Sequence, residues 1–168
     1  MTIIEAIESR RSVRKYLPID VPMEHLDEIL HVAMLSPSAG NTRPWDYIAI
    51  KNKNIIKKLH NVHPWSRSLT TASALIIVLA RPERQFQKED NCWPIDCGAA
   101  SMAILLASME YGYGTCWCGI YPNEGIVSEF QKILNTEAVP VSMISIGVPD
   151  ENPAQKGFFD KNRVTYLL

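Results

Sequence analysis

Ala74-Leu75-Ile76-Ile77-Val78-Leu79-Ala80 is the longest uninterrupted apolar stretch in this chain of 168 residues. Because no polar residue alternates with the apolar ones, both faces of such a strand would be buried, as at the centre of a covered sheet. The Arg81-Pro82 pair ends the stretch. The stretch therefore predicts a central strand, around which the other elements are arranged.

A long helix is predicted downstream of this strand, from about Ile95 to Tyr111. It is apolar nearly all round, which is typical of a helix at the buried centre of a domain. Gly112-Tyr113-Gly114 ends it.

The remaining elements are shorter. Thr2 and Glu5 form a capping-box pattern that predicts a first helix ending near Arg10. The other predicted elements are a helix from Asp20-Val21-Pro22 to Ser36-Pro37, a strand over Tyr47–Ile50, a helix through Ile55–Leu59, a strand over Thr115–Ile120, a helix over Ile126–Leu134 and a strand over Val141–Ile146. This order favours a mixed α+β fold rather than repeated βαβ units, in a single domain covering residues 1–168.

Charge and hydropathy exclude several classes of protein. Seventeen basic and eighteen acidic residues give a net charge of −1, unlike the basic footprint of nucleic-acid-binding domains. The apolar run at 74–80 is too short to span a bilayer, and the first residues do not resemble a signal peptide. We therefore expect a cytoplasmic protein that engages neither nucleic acid nor membrane.

The four cysteines are Cys92, Cys97, Cys116 and Cys118. Their spacings match none of the common zinc frameworks, and the two pairs lie at opposite ends of the predicted long helix. One ion would hardly gather both pairs, so we expect small buried thiols and no metal site.

A basic segment, Ser9-Arg10-Arg11-Ser12-Val13-Arg14-Lys15-Tyr16, carries four cations and two serines in eight residues. Arginine forks bind phosphate oxygens in pairs and serine hydroxyls can add a further bond, so the segment indicates a phosphate-bearing ligand. The alternative is that these are solvated cations at a helix C-terminus, where the helix dipole favours positive charge. The segment alone does not decide between the two.

Two further segments leave alternatives open. The turn-rich segment Ser36-Pro37-Ser38-Ala39-Gly40-Asn41-Thr42-Arg43-Pro44 is either a plain connector or a functional loop. The last residues, Val164-Thr165-Tyr166-Leu167-Leu168, are apolar and must pack against either the chain's own core or a partner subunit.

Four segments in this order resemble the FMN-dependent nitroreductase family, in particular its short members. They are the motif Arg10 to Tyr16, the segment Ser36 to Trp45, the stretches Asp96-Cys97-Gly98-Ala99-Ala100 and Gly112 to Pro122, and Ile146-Gly147-Val148-Pro149 with a basic tail. The resemblance implies a central, mostly antiparallel sheet flanked by helices, in an intertwined homodimer with FMN at the subunit interface.

The resemblance also implies a set of FMN-binding residues. Arg10, Arg11 and Ser12 would hold the phosphate, and Arg14 would lie at the ring edge near N1 and O2. Arg67 falls roughly where a second basic ring-edge residue is common. The remaining implied contacts are Pro37, Ser38, Ala39 and Asn41 from the second subunit, Trp117, Cys118, Gly119 and Ile120 along one face of the ring, and Lys156 and Arg163 toward the phosphate.

The implied reaction takes a hydride from NADH or NADPH at flavin N5. The electrons then pass to a nitroaromatic, a quinone or a similar electrophile in the same pocket, which predicts ping-pong kinetics. No catalytic side chain is implied, because the flavin performs the chemistry. Two alternatives are an FMN-binding storage or regulatory protein without turnover, and a related flavin enzyme such as a reductive dehalogenase.

One departure from the family pattern concerns Arg43, which stands where the family commonly has glutamine. It adds a charge near the substrate side or forms a salt bridge at the dimer interface. The polar segment around Arg84 to Asn91, a candidate border of the substrate pocket, carries no recognisable specificity signal.

Overall fold

The computed structural model describes residues 1–87, 90–155 and 157–167. The helices are α1 Ile3–Ser9, α2 Met23–Met34, α3 Lys53–Val62, α4 Trp93–Glu110 and α5 Glu124–Leu134. The strands are β1 Trp45–Ile50, β2 Ala74–Ala80, β3 Gly114–Gly119 and β4 Val139–Gly147. Short 3-10 turns occur at Ala39–Asn41, Arg67–Thr70, Pro82–Arg84 and Lys161–Arg163.

The four strands form one antiparallel sheet in the order β1-β2-β4-β3. β2 lies in the interior, where Ile76 pairs with Ala49 of β1 and with Ile144 of β4. The predicted central strand and the predicted α+β fold with an antiparallel sheet are confirmed.

The alternating side chains of β2 point into two separate cores. Ala74, Ile76, Val78 and Ala80 pack with residues of α2 and α4, whereas Leu75, Ile77 and Leu79 pack with residues of α3 and α5. Helices thus cover both faces of the sheet, which explains why the strand is apolar at every position.

Helix α4 is buried along only part of its surface. Cys97, Ala100 and Ile104 are fully buried, but Ile95 is 76% exposed and Leu106 is half-buried. The sheet covers one side of the helix and α2 packs against another, whereas the side that carries Ile95 is left uncovered by the described residues. No helix in the described part of the chain is both long and apolar enough to cross a membrane.

Both ends of the described chain also carry uncovered apolar side chains. Helix α1 has the predicted capping box, in which Thr2 Oγ1 accepts from the Glu5 backbone N–H at 3.2 Å. None of its residues is buried, and Ile3 is 77% exposed. At the other end Leu167 is 94% exposed, so the described tail residues do not pack against the core of their own chain. Leu168 lies outside the described residues.

Candidate functional site

The basic segment crosses the edge of the sheet where β3 begins and β4 ends. The Val13 backbone N–H donates to the Thr115 carbonyl at 2.9 Å, and that of Leu17 donates to the Val148 carbonyl at 2.9 Å. Isolated bridges join Ser12 to Thr115 and Tyr16 to Pro149. These backbone contacts fix the residues that carry the cations against the end of the sheet.

Two glycines form the cradle for this segment. Gly114 and Gly147 are register partners at the same sheet edge. A Cβ atom on Gly114 would lie 2.8 Å from Val13 Cβ, and one on Gly147 would lie 2.9 Å from Tyr16 Cβ. The segment can therefore approach the sheet this closely only because both positions lack a side chain.

The buried side chain of Tyr16 fixes the basic segment to the sheet. It is 4% exposed, and its hydroxyl donates to the Val13 carbonyl at 2.6 Å and lies 2.8 Å from Ser145 Oγ. Burial raises the pKa of Tyr16, so the phenol stays neutral and acts as a structural hydrogen-bonding group.

The cations of the segment fall into two adjoining clefts of about 420 Å³ each. The first is lined by Arg10 and Arg11, and the second by Arg14 and Lys15 together with Arg67. Residues 151–153 line both clefts. The second cleft thus brings three cations together with one carboxylate, that of Glu151, which is a donor set suited to an anionic ligand.

The arginines also make local contacts. Arg11 Nη1 donates to the carbonyls of Glu8 at 2.6 Å and Arg10 at 2.7 Å, which satisfies acceptors at the end of α1. Arg14 Nη1 donates to the Ser12 carbonyl at 3.2 Å, and the Arg14 backbone N–H donates to the Glu151 carboxylate. Each guanidinium carries five donor hydrogens, so these contacts leave donors for a ligand.

The loop at 36–44 is held by α4 rather than by the basic segment. Asp96 is 6% exposed, and its Oδ1 accepts from the Ala39 backbone N–H at 3.1 Å. Within the loop, Ser38 Oγ accepts from the Arg43 N–H at 2.9 Å and Asn41 Oδ1 accepts from Arg43 Nε at 3.1 Å. The described residues that line the two basic clefts do not include Pro37, Ser38, Ala39 or Asn41.

The predicted ring-face segment occupies β3 and the residue after it. Trp117 is 39% exposed and lies on the side of α4, 3.9 Å from the position of a Cβ on Gly98. Gly119 is exposed, whereas Cys118 and Ile120 are buried in the opposite core. Of these four residues, Trp117 and Gly119 are the ones whose surface is open.

Cys116 and Cys118 lie on the same face of β3, two residues apart. The neighbouring Cys118 thiol, helped by the nearby Arg14 charge, lowers the pKa of Cys116, whereas the neighbouring Cys116 sulfur and burial raise the pKa of Cys118. All four cysteines are free. The described residues contain no group of three or more His, Cys, Asp or Glu side chains that could hold a metal ion.

Of the two C-terminal candidates, Arg163 lines neither basic cleft. The Arg163 side chain is 82% exposed, and its Nε lies 3.2 Å from Asp160 Oδ2. Lys156 lies outside the described residues.

A larger cleft of about 800 Å³ lies beside α3. Its described lining includes Lys53, Lys57 and His60 but none of the predicted FMN-binding residues. Lys53 Nζ donates to the Ala72 carbonyl at 2.5 Å, so this cation is engaged by the backbone. The two smaller clefts together carry five Arg and Lys side chains against two in the larger one, and are the better candidates for a phosphate ligand.

Sequence reasoning gave no site role to several residues that shape the site, namely Gly114, Gly147, Glu151, Asn152 and Asp96. Three of them, Gly114, Gly147 and Asp96, lie in the motif segments quoted above. The two glycines carried a usable signal, because Gly114 directly precedes one predicted strand and Gly147 directly follows another. The contacts of Glu151 and Asp96 join distant parts of the chain and left no local signal.

The fold and the site together define a class of protein: an α+β protein with two adjoining basic clefts at one edge of an antiparallel sheet. The model of the nitroreductase family matches residues 7–63 and 62–148. The chain therefore belongs to the nitroreductase family, and the resemblance seen in its sequence is confirmed.

Individual relatives agree with this assignment. A protein of Methanothermobacter thermautotrophicus, provisionally named an NADH dehydrogenase/NAD(P)H nitroreductase, is 38% identical over 166 residues, which cover 98% of this chain and 86% of that protein. The crystal structure of a similarly named protein from Bacteroides thetaiotaomicron has a TM-score of 0.90 at 30% identity, covering 97% of this chain and 95% of the other. An FMN-dependent nitroreductase from Clostridium difficile has a TM-score of 0.88 at 26% identity and covers 98% of both chains.

Proposed function

We propose that this protein is an FMN-dependent oxidoreductase that passes electrons from NADH or NADPH to a nitroaromatic, a quinone or a similar electrophile. The observation that carries the proposal is the pair of adjoining basic clefts at the sheet edge. The names of the relatives support the donor and the cofactor.

The chemistry of the donor set fits FMN. Arg10, Arg11 and Ser12 stand at one end of the basic segment and would hold the phosphate. Arg14 and Arg67 line the second cleft and would lie at the edge of the ring. Bound FMN supplies the two-electron redox chemistry, which the side chains of this chain do not provide.

Among these residues, Arg14 would have the most direct effect on how readily the flavin is reduced. A fixed cation at the pyrimidine edge stabilises the negative charge that reduction places there. The backbone contacts of Ser12 and Val13 to Thr115 hold Arg14 at the sheet edge before any ligand arrives. This preorganisation lowers the cost of ordering the site on binding.

The β3 segment would border one face of the ring. Gly119 leaves its backbone exposed, which allows close approach, and Trp117 offers an open aromatic surface. Cys118 and Ile120 would support the strand from the core.

We also propose a homodimer in which Pro37, Ser38, Ala39 and Asn41 reach the FMN site of the second subunit. Monomeric proteins rarely expose large apolar patches. Here α1 buries no residue, Ile95 of α4 is 76% exposed and Phe158 is 81% exposed. The loop at 36–44 is fixed to α4 by Asp96, so an interface along α4 would carry the loop with it.

The proposal is tested by following both halves of the reaction without oxygen. Protein loaded with FMN is titrated with NADH and, separately, with NADPH, and the visible flavin absorbance is recorded. We expect bleaching by one or both donors, and return of the colour on adding 4-nitrobenzyl alcohol or a benzoquinone.

Free FMN with the same donors gives the background rate. Bound FMN that stays oxidised with both donors would contradict the proposed enzyme and favour the FMN-binding protein without turnover. Bleaching without recovery by either acceptor would contradict the proposed acceptor class.

A further inference from the structure

The chain after β2 is clamped to β1 before it reaches Phe86. Arg81 Nε lies 2.6 Å from Asp46 Oδ2, and Arg84 Nη1 lies 2.8 Å from Asp46 Oδ1. Burial alone would raise the pKa of Asp46, but the hydrogen bonds from both arginines outweigh it and lower that pKa. The carboxylate is therefore charged at neutral pH, and it fixes the turn at Pro82–Arg84 that leads to Phe86.

Phe86 lies directly on the loop at 36–44. Gly40 has a φ of +56°, and a Cβ there would collide with the ring of Phe86. The ring therefore covers the bare glycine backbone, yet the side chain remains 54% exposed. One part of the aromatic side chain is fixed by this contact, while the rest is open to stacking with a planar group.

Arg43 stands three residues further along the same loop. Its φ of +50° is unusual for a residue with a long side chain. Ser38 Oγ and Asn41 Oδ1 hold its backbone N–H and its Nε, respectively. In the described parts of the chain the Arg43 guanidinium pairs with no carboxylate, and its terminal nitrogens make no hydrogen bond to those residues.

We infer that Phe86 and Arg43 together form the acceptor subsite, and that this subsite selects planar aromatic acceptors bearing a negative charge. The inference rests on the proposed function, because the loop is assigned to the FMN site of the second subunit. Phe86 would stack on the aromatic ring, and the two terminal nitrogens of Arg43 would bind a carboxylate as a fork.

Reduction of a nitro acceptor to the nitroso compound consumes one two-electron donor. One NADH and one proton reduce one nitroarene to the nitrosoarene, with release of NAD⁺ and one water. The carboxylate of the acceptor takes no part in this step, so Arg43 affects recognition and not the chemistry.

The test compares two nitroarenes of similar electron demand, 4-nitrobenzoate and the uncharged 4-nitrobenzyl alcohol. In the wild type we expect a higher kcat/KM for 4-nitrobenzoate than for 4-nitrobenzyl alcohol. In R43Q we expect kcat/KM for the benzoate to fall by about 3- to 5-fold, the upper part of the range for a solvent-exposed charge contact, with the alcohol changed less than about twofold. The matched control K58Q removes an exposed charge on α3 and should leave both values unchanged.

A second pair of variants tests Phe86. We expect F86L to lower kcat/KM for both nitroarenes by a factor of about 3 to 10, and F86Y, which keeps the ring, to restore them. Equal loss for both acceptors in R43Q, or no preference in the wild type, would overturn the charge selection. Full activity of F86L would overturn the stacking role.

The anaerobic reduction of bound flavin by NADH is measured in every variant. Wild-type protein that binds no FMN, or is not reduced, refutes the proposed function itself. Normal reduction with no effect of R43Q on acceptor choice refutes only the inference about this subsite.

Discussion

Replacing Arg14 with alanine is expected to raise the Kd for FMN by about 10- to 100-fold, the effect of losing one or two charge-assisted hydrogen bonds. Arg14 is the cation that the basic segment places in the second cleft, beside Arg67. Fluorescence titration of the apoprotein with FMN measures the loss.

The same substitution should make bound flavin harder to reduce. Because the cation stabilises charge that exists only in the reduced ring, R14A is expected to lower the midpoint potential by about 30 mV or more, equivalent to about 1.4 kcal/mol for two electrons. R14K keeps the charge and should recover much of the potential. An unchanged potential and Kd in R14A would show that Arg14 does not lie at the ring edge.

Replacing Gly114 with alanine is expected to weaken FMN binding without removing any ligand-binding side chain. The new Cβ would meet Val13 Cβ at 2.8 Å, and Val13 is fixed to the Thr115 carbonyl through its backbone. The strand and the segment must move apart, which displaces Arg10 to Arg14 together. We expect a loss of about 1–3 kcal/mol in unfolding free energy, as for other overpacked sites, and about a tenfold weaker FMN Kd.

Gly125 offers the matched control for this substitution. It lies in α5, where a Cβ would come no closer than 3.4 Å to Asn123 Oδ1. G125A should leave FMN binding unchanged and preserve or slightly raise stability, since alanine favours helix. Wild-type FMN affinity in G114A would contradict the cradle formed by the two glycines.

The sequence predicts elements well where a local pattern decides them. β2 was predicted at Ala74–Ala80 and is found there, because its apolar run and its Arg81-Pro82 end are both local signals. The long helix was predicted over 95–111 and found over Trp93–Glu110, its start earlier because proline is tolerated in a first helical turn.

Features that depend on distant residues were not predictable in the same way. The strand order β1-β2-β4-β3 and the placing of Gly114 opposite Gly147 follow from pairing register across the sheet. The clamp of Arg81 and Arg84 on Asp46 likewise joins residues more than 30 positions apart. Only the resemblance to a family suggested that Arg67 belongs near Arg14, and the second cleft brings the two together.

Helix α4 illustrates the limit of hydropathy. An apolar surface predicts burial but does not say what covers it. In α4 the sheet covers one side, and the exposed Ile95 side remains for a second subunit under the proposed dimer.

The most direct test of the central claim is the visible spectrum of the purified protein, with the released chromophore identified by mass. A yellow protein that releases one FMN per chain, in a particle of twice the 18.9 kDa chain mass, is the predicted result. A colourless protein that takes up no added FMN would contradict the account.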